Sequence, residues 1–125
     1  VWMIDALPYE ELANYTLHAH IGFSLDKPTN DNYLYSLPNK LFDYLRAGLP
    51  IICSNVVEVA RIVKKHNCGL IVADVEPTEI AKQIKALTNN KTEYLAFVQN
   101  AETAGLLYSW ESEFKQFETI YQNFQ

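Results

Sequence analysis

Three short apolar runs, Ile21 to Leu25, Ile51 to Cys53 and Leu70 to Ala73, are separated by stretches whose apolar residues recur at helical spacing. Strands buried on both faces read as unbroken apolar runs, and parallel neighbours need a crossover of about a dozen residues between them. The alternation therefore predicts an α/β fold, a Rossmann-like parallel sheet with flanking helices. At 125 residues the chain is one domain by length, and its 49% apolar content supports a packed core without disulfides or structural metal.

Further elements follow from the same periodicities. Val1 to Ile4 reads as another strand. Pro8 opens a helix to about His18, with Glu10 and Glu11 in the favourable first turn and Leu12, Tyr15 and Ala19 spaced for burial. Asp26 to Leu37 is polar, aperiodic and too long for a tight turn, so it reads as a mobile or ligand-ordered loop. Pro38 suits the first position of a helix in which Leu41, Phe42 and Leu45 form the buried stripe, and Gly48 stops it before Pro50. Ser54 or Asn55 caps a helix with Val59, Ile62 and Val63 inward, ending at Asn67 to Gly69. Pro77 starts another, with Ile80, Ile84 and Leu87 at i, i+4 and i+7, and one from about Thr92 places Tyr94, Val98 and Ala101 on one face. Ser109 caps a terminal helix whose Trp110, Phe114, Phe117, Ile120 and Tyr121 carry so much apolar surface that they are expected to pack on something.

Charge and composition narrow the function. Ten basic against fifteen acidic side chains give a net charge of −5, the wrong sign for a nucleic-acid binder. No apolar run approaches the roughly 20 residues needed to cross a bilayer. Val1 to Asp5 carries no basic leader region, so no secretory signal is visible. Cys53 and Cys68 lack metal or redox spacing and read as reduced core thiols. His18 and His20 have no third ligand in view, His66 reads as a partner of its helix dipole, and Ser54 lacks the neighbouring base that a nucleophile needs.

The segment that can carry chemistry is Ser36-Leu37-Pro38-Asn39-Lys40. A long loop and a helix N-terminus at the carboxyl edge of a parallel sheet form an anion site, where the amides of Asn39 and Lys40 point forward and Lys40 adds a point charge. At about 100° per residue, Leu41, Phe42 and Leu45 fall on one side of the helix and Asn39, Lys40, Asp43 and Arg46 on the other. Asp43 lies one turn beyond Asn39, about 6 Å down the axis, where a carboxylate can accept both hydroxyls of a ribose. The plainer reading is a solvated helix face.

Tyr35 to Pro50, YSLPNKLFDYLRAGLP, resembles the donor-binding segment of the retaining glycosyltransferases of family 4, the group 1 enzymes with two Rossmann-like domains (GT-B). In that family the segment reads Glu, seven residues, Glu, then Ala-Met-Ala-x-Gly-x-Pro, with a variant similar to Pro-x-Lys-x-x-Glu-Tyr-x-x-x-Gly-x-Pro. Pro8-Tyr9-Glu10-Glu11-Leu12 with Tyr15, and Ala101 with Tyr108-Ser109-Trp110-Glu111 and Ile120-Tyr121, resemble its flanks. The resemblance implies that Asp43 stands where the second glutamate binds the ribose, one methylene shorter. It places Asn39 and Lys40 at the donor pyrophosphate and Ser36 and Leu37 where the loop approaches the sugar. Tyr35 departs from the first glutamate, which contacts the transferred sugar, and Asp31 in the same loop is the substitute carboxylate.

It also implies a nucleotide-sugar donor, a UDP- or GDP-sugar, as substrate, with no separate cofactor and no metal. The family's basic residue, Gly-rich turn and acceptor domain have no counterpart here. The chain is therefore expected to be the incomplete donor-binding part of a longer cytoplasmic glycosyltransferase, inactive alone and missing its N-terminal acceptor domain. Peripheral membrane-bound lipid or polysaccharide acceptors are expected, and the terminal helix should return toward the acceptor domain. Lacking its usual neighbours, the strand Val1 to Ile4 is expected to pair directly with the sheet or to be exchanged in a homodimer. Alternatives from other classes are a non-catalytic Rossmann-like association module and, less well supported, a nucleotide-sugar epimerase.

Overall fold

A computed structural model describes residues 2–123. Its elements are α1 (Tyr9–Leu17), β1 (Gly22–Ser24), α2 (Asp31–Leu34), α3 (Asn39–Arg46), β2 (Ile51–Ser54), α4 (Val57–His66), β3 (Gly69–Val72), α5 (Pro77–Asn89), α6 (Lys91–Leu107) and α7 (Trp110–Gln122). Among the described residues the sheet has three parallel strands in the order β1-β2-β3, with Gly22 opposite Ile51 and Ile51 opposite Gly69. The α/β reading holds, and each strand falls inside or within one residue of its apolar run.

Side chains alternating along β2 feed two cores. Ile51 and Cys53 face Leu41 and Leu45 of α3 and Val59, Ile62 and Val63 of α4. Ile52 faces the other way, toward Val72, Leu87 of α5 and Phe97 of α6. Helix α6 serves both layers, because Phe97 belongs to the second cluster while Ala101 and Ala104 belong to the first. Among the described residues, no helix is long and apolar enough to cross a membrane.

Helix α3 has eight residues, too few to be stable alone, so tertiary packing must hold it. Leu41 and Leu45, at i and i+4, are wholly buried, each worth about 1.5–3 kcal/mol. A Cβ on Gly105 of α6 would stand 2.7 Å from the Leu45 carbonyl oxygen, so the bare glycine lets α6 lie against α3. At the far end Gly48 takes φ 68°, its amide bonding the Leu45 carbonyl and the Leu49 amide bonding the Tyr44 carbonyl, both at 3.0 Å. This pair of bonds satisfies carbonyls that the helix end would otherwise orphan.

Several expectations are corrected. Residues 2–8 form no strand and join neither edge of the sheet; Trp2 and Met3 are 96% and 90% exposed, and an unpaired short run has no ladder bonds to hold it extended. Val1 lies outside the described residues. Helix α1 forms, but Leu12 and Tyr15 are about half exposed and Ala19 lies beyond the helix, also exposed. The loop after β1 contains α2, nucleated by Asn30, whose side chain accepts from the Tyr33 amide at 3.1 Å. Pro38 is the N-cap of α3 rather than its first residue. Neither Ser54 nor Asn55 caps α4, whose N-cap is Val56. The hydroxyl of Ser54 instead donates to the Asp26 carbonyl at 2.6 Å, tying the exit of β1 to the end of β2. On α6, Phe97 and Ala104 are buried with Ala101, whereas Tyr94 and Val98 are only partly covered. Ser109 caps α7 as expected, accepting from the Ser112 amide at 3.2 Å, yet no residue of α7 is buried.

Candidate functional site

The segment from Tyr35 to Asp43 runs from the end of α2 into α3. Tyr35 ends α2, exposed, its amide bonding the Asp31 carbonyl at 3.0 Å. Ser36 turns its hydroxyl back onto the Tyr33 carbonyl at 3.0 Å, and Leu37 is exposed. Asp31 sits exposed in the first turn of α2, favoured there by the helix dipole. Pro38, extended at φ −71°, ψ 143°, aims the chain into α3. The first backbone bond of that turn joins the Leu41 amide to the Pro38 carbonyl at 3.0 Å, so the amides of Asn39 and Lys40 precede it and lack a helical acceptor.

Lys40 lies at the carboxyl edge of the sheet, its Nζ 3.4 Å from Oδ2 of Asp26 just after β1. Both groups are partly exposed, so the pair is weak, and an anion at α3 would compete with Asp26 for the ammonium. Between the ends of β2 and β3 lies a cleft of about 230 Å³ lined by Lys27, Ser54, Asn55, Asp74 and Glu76.

Asp43 is half-buried on the side of α3 that faces α1. Its Oδ1 accepts a 2.8 Å hydrogen bond from the phenol of Tyr9, the first residue of α1. Hydrogen bonding to the carboxylate, with its negative charge, pushes the Tyr9 phenol above its ordinary value of 10.0, so at neutral pH Tyr9 is a donor. Beside this pair a groove of about 380 Å³ runs between α1 and α3, lined by Leu12, Ala13, Thr16, Arg46 and Ala47 as well as by Tyr9 and Asp43. Its size falls within the range of about 300–1,000 Å³ typical of small-molecule clefts.

The residues Asn39, Lys40 and Asp43 thus lie on one helix, Lys40 reaching Asp26 after β1 and Asp43 reaching Tyr9 of α1, while Tyr35 and Asp31 belong to the separate turn of α2. Tyr9 is not among the residues that the sequence singles out for the site. Its place directly after Pro8 announces a helix start, and nothing in its spacing announces Asp43, which is 34 residues away.

Elsewhere, His66 does not act on its helix dipole alone: its Nε2 lies 2.9 Å from the Tyr108 hydroxyl, and the rings meet edge to face at 5.4 Å. Burial, then the charge of Lys65, lowers its pKa below 6.5.

Comparison with known proteins gives this α/β domain a family. Residues 8–114 match the family model described as glucosyltransferase 3-like, C-terminal domain, and the chain belongs to that family. It is therefore a glycosyltransferase-related domain. The matched residues run from Pro8 into the first turns of α7. A search of curated proteins returns no significant match.

Proposed function

We propose that this chain is the donor-binding part of a retaining glycosyltransferase of the group 1, family 4 type with GT-B architecture, and that it takes a nucleotide sugar, a UDP- or GDP-sugar. The diphosphate rests against the amides of Asn39 and Lys40 with the Lys40 ammonium beside it, and Asp43 accepts the ribose hydroxyls one turn along α3. Ser36 and Leu37 border the sugar, with Tyr35 or Asp31 the nearer side chain to it. As the glycosidic bond to the diphosphate breaks, amides and a cation already in place stabilise the charge on the leaving group. An N-terminal domain supplies the acceptor, a lipid or polysaccharide at the cytoplasmic face of a membrane, and this chain alone binds without turnover. No cofactor or metal has a role in this reading.

Asp43 is the observation that carries the proposal: a half-buried carboxylate on the polar side of a helix whose first amides lack acceptors, beside a groove of ligand size. Titration calorimetry with UDP, GDP, UDP-glucose and GDP-sugars tests it. Binding heat that Asp43→Ala abolishes is expected, together with hydrogen-exchange protection of the Asn39 and Lys40 amides. Absence of heat with every nucleotide would remove the enzyme reading and favour an association module.

A further inference from the structure

Tyr9 presents a puzzle as a packing residue. Its side chain is 65% exposed, and α1, which it begins, buries no residue. Yet its phenol is aimed at Asp43 across 2.8 Å, and the two residues line the same groove. Hydrogen bonds to an ionised acceptor are shorter than neutral ones, and this contact sets the two groups side by side at the groove.

The chemistry of the pair goes further than a tether. A carboxylate offers two oxygens with about four acceptor positions, and a phenol that donates its proton still accepts through its oxygen. With the Tyr9 proton donated to Oδ1, the pair keeps further acceptor positions on Oδ2 of Asp43 and on the phenolic oxygen. Vicinal hydroxyls supply two donors, one for each group. Aspartate is one methylene short of glutamate, so Asp43 alone reaches less far from α3, and the phenol makes up that reach from the opposite wall.

We infer that Tyr9 and Asp43 together form a composite receptor for the vicinal diol of a ribonucleoside diphosphate, in which Tyr9 both holds the carboxylate in place and accepts the 2′-hydroxyl itself. Tyr9 acts this way only if Asp43 holds the ribose, as proposed above. Its ligand class is then the ribonucleotide rather than the deoxyribonucleotide, and the groove between α1 and α3 continues away from the diol on the side remote from the start of α3.

The test is UDP and 2′-deoxy-UDP binding by titration calorimetry to the full 125-residue chain and to three variants. Tyr9→Phe should weaken UDP about five-fold, the loss of one ordinary hydrogen bond, and weaken 2′-deoxy-UDP by clearly less. Adding Asp43→Glu to Tyr9→Phe should restore UDP affinity, because the longer acid spans the diol alone. Asp43→Ala should abolish the binding heat of both nucleotides, as the donor site itself requires. Circular dichroism and denaturant midpoints confirm that each variant folds. If UDP binds and Asp43→Ala weakens it while Tyr9→Phe leaves it unchanged or tighter, the composite receptor is overturned and the donor site stands. If Tyr9→Phe weakens both nucleotides equally, or Asp43→Glu fails to rescue it, Tyr9 only props α1 and the inference falls. If UDP does not bind, or Asp43→Ala has no effect on it, the donor-site reading falls and takes this one with it.

Discussion

The phenol of Tyr9 donates to Oδ1 of Asp43 at 2.8 Å and ties a helix that buries nothing to one whose Leu41 and Leu45 are wholly buried. Because the carboxylate raises the Tyr9 phenol above 10.0, removing its charge must lower it again. In a tyrosine-labelled NMR titration, the Tyr9 resonance is expected to titrate at higher pH in the native chain than in Asp43→Asn. An identical titration in both would show that the bond does not form in solution.

Leu45 links site and core. Its truncation to alanine leaves a cavity beneath α3, and the expected loss is about 2–5 kcal/mol in urea unfolding. Denaturation within 0.5 kcal/mol of the parent would mean that α3 is not seated as described.

The hydroxyl of Ser54 bridges the ends of β1 and β2 through the Asp26 carbonyl at 2.6 Å. Ser54→Ala is expected to cost about 1 kcal/mol and to speed amide exchange in residues 26–30 without affecting α5. Unchanged exchange in that loop would count against the bridge.

Burial pushes the Cys53 thiol up to about 12, helped by nearby Cys68, and the Cys68 thiol up to about 11, from 9.0. A thiol whose pKa is raised by folding stabilises fully below the unfolded value, and that contribution is lost as pH climbs through the folded one. Stability should therefore fall from pH 9 toward pH 11, more steeply in the parent than in a Cys53→Ala, Cys68→Ala double variant. In the same native protein at pH 8, a thiol reagent should react only on unfolding. Rapid labelling of the folded chain would contradict the burial of both residues.

Much of this architecture is legible because local signals and burial agree. Gly48 and Pro50 punctuate the end of α3, Ile80, Ile84 and Leu87 declare α5 by spacing alone, and β2 is a bare apolar run. Legibility fails where an outcome depends on a neighbour. Val1 to Ile4 resembles a strand in composition, but composition does not supply a partner, and Trp2 and Met3 stand almost fully exposed outside the sheet. Ser54 has the chemistry of a cap and spends it on a carbonyl 28 residues earlier in the chain. At the site, spacing along one helix is enough to set Leu41 and Leu45 inward and to leave Asn39 and Asp43 out of the core. The phenol of Tyr9 arrives from a different helix, and no spacing rule within either segment encodes that meeting.

The two-layer role of α6 has a thermal consequence. A single rod carries Phe97 into one layer and Ala101 and Ala104 into the other, so neither side of the sheet can shed its packing while the other keeps it. Heating should produce one sharp endotherm, with van't Hoff and integrated enthalpies equal.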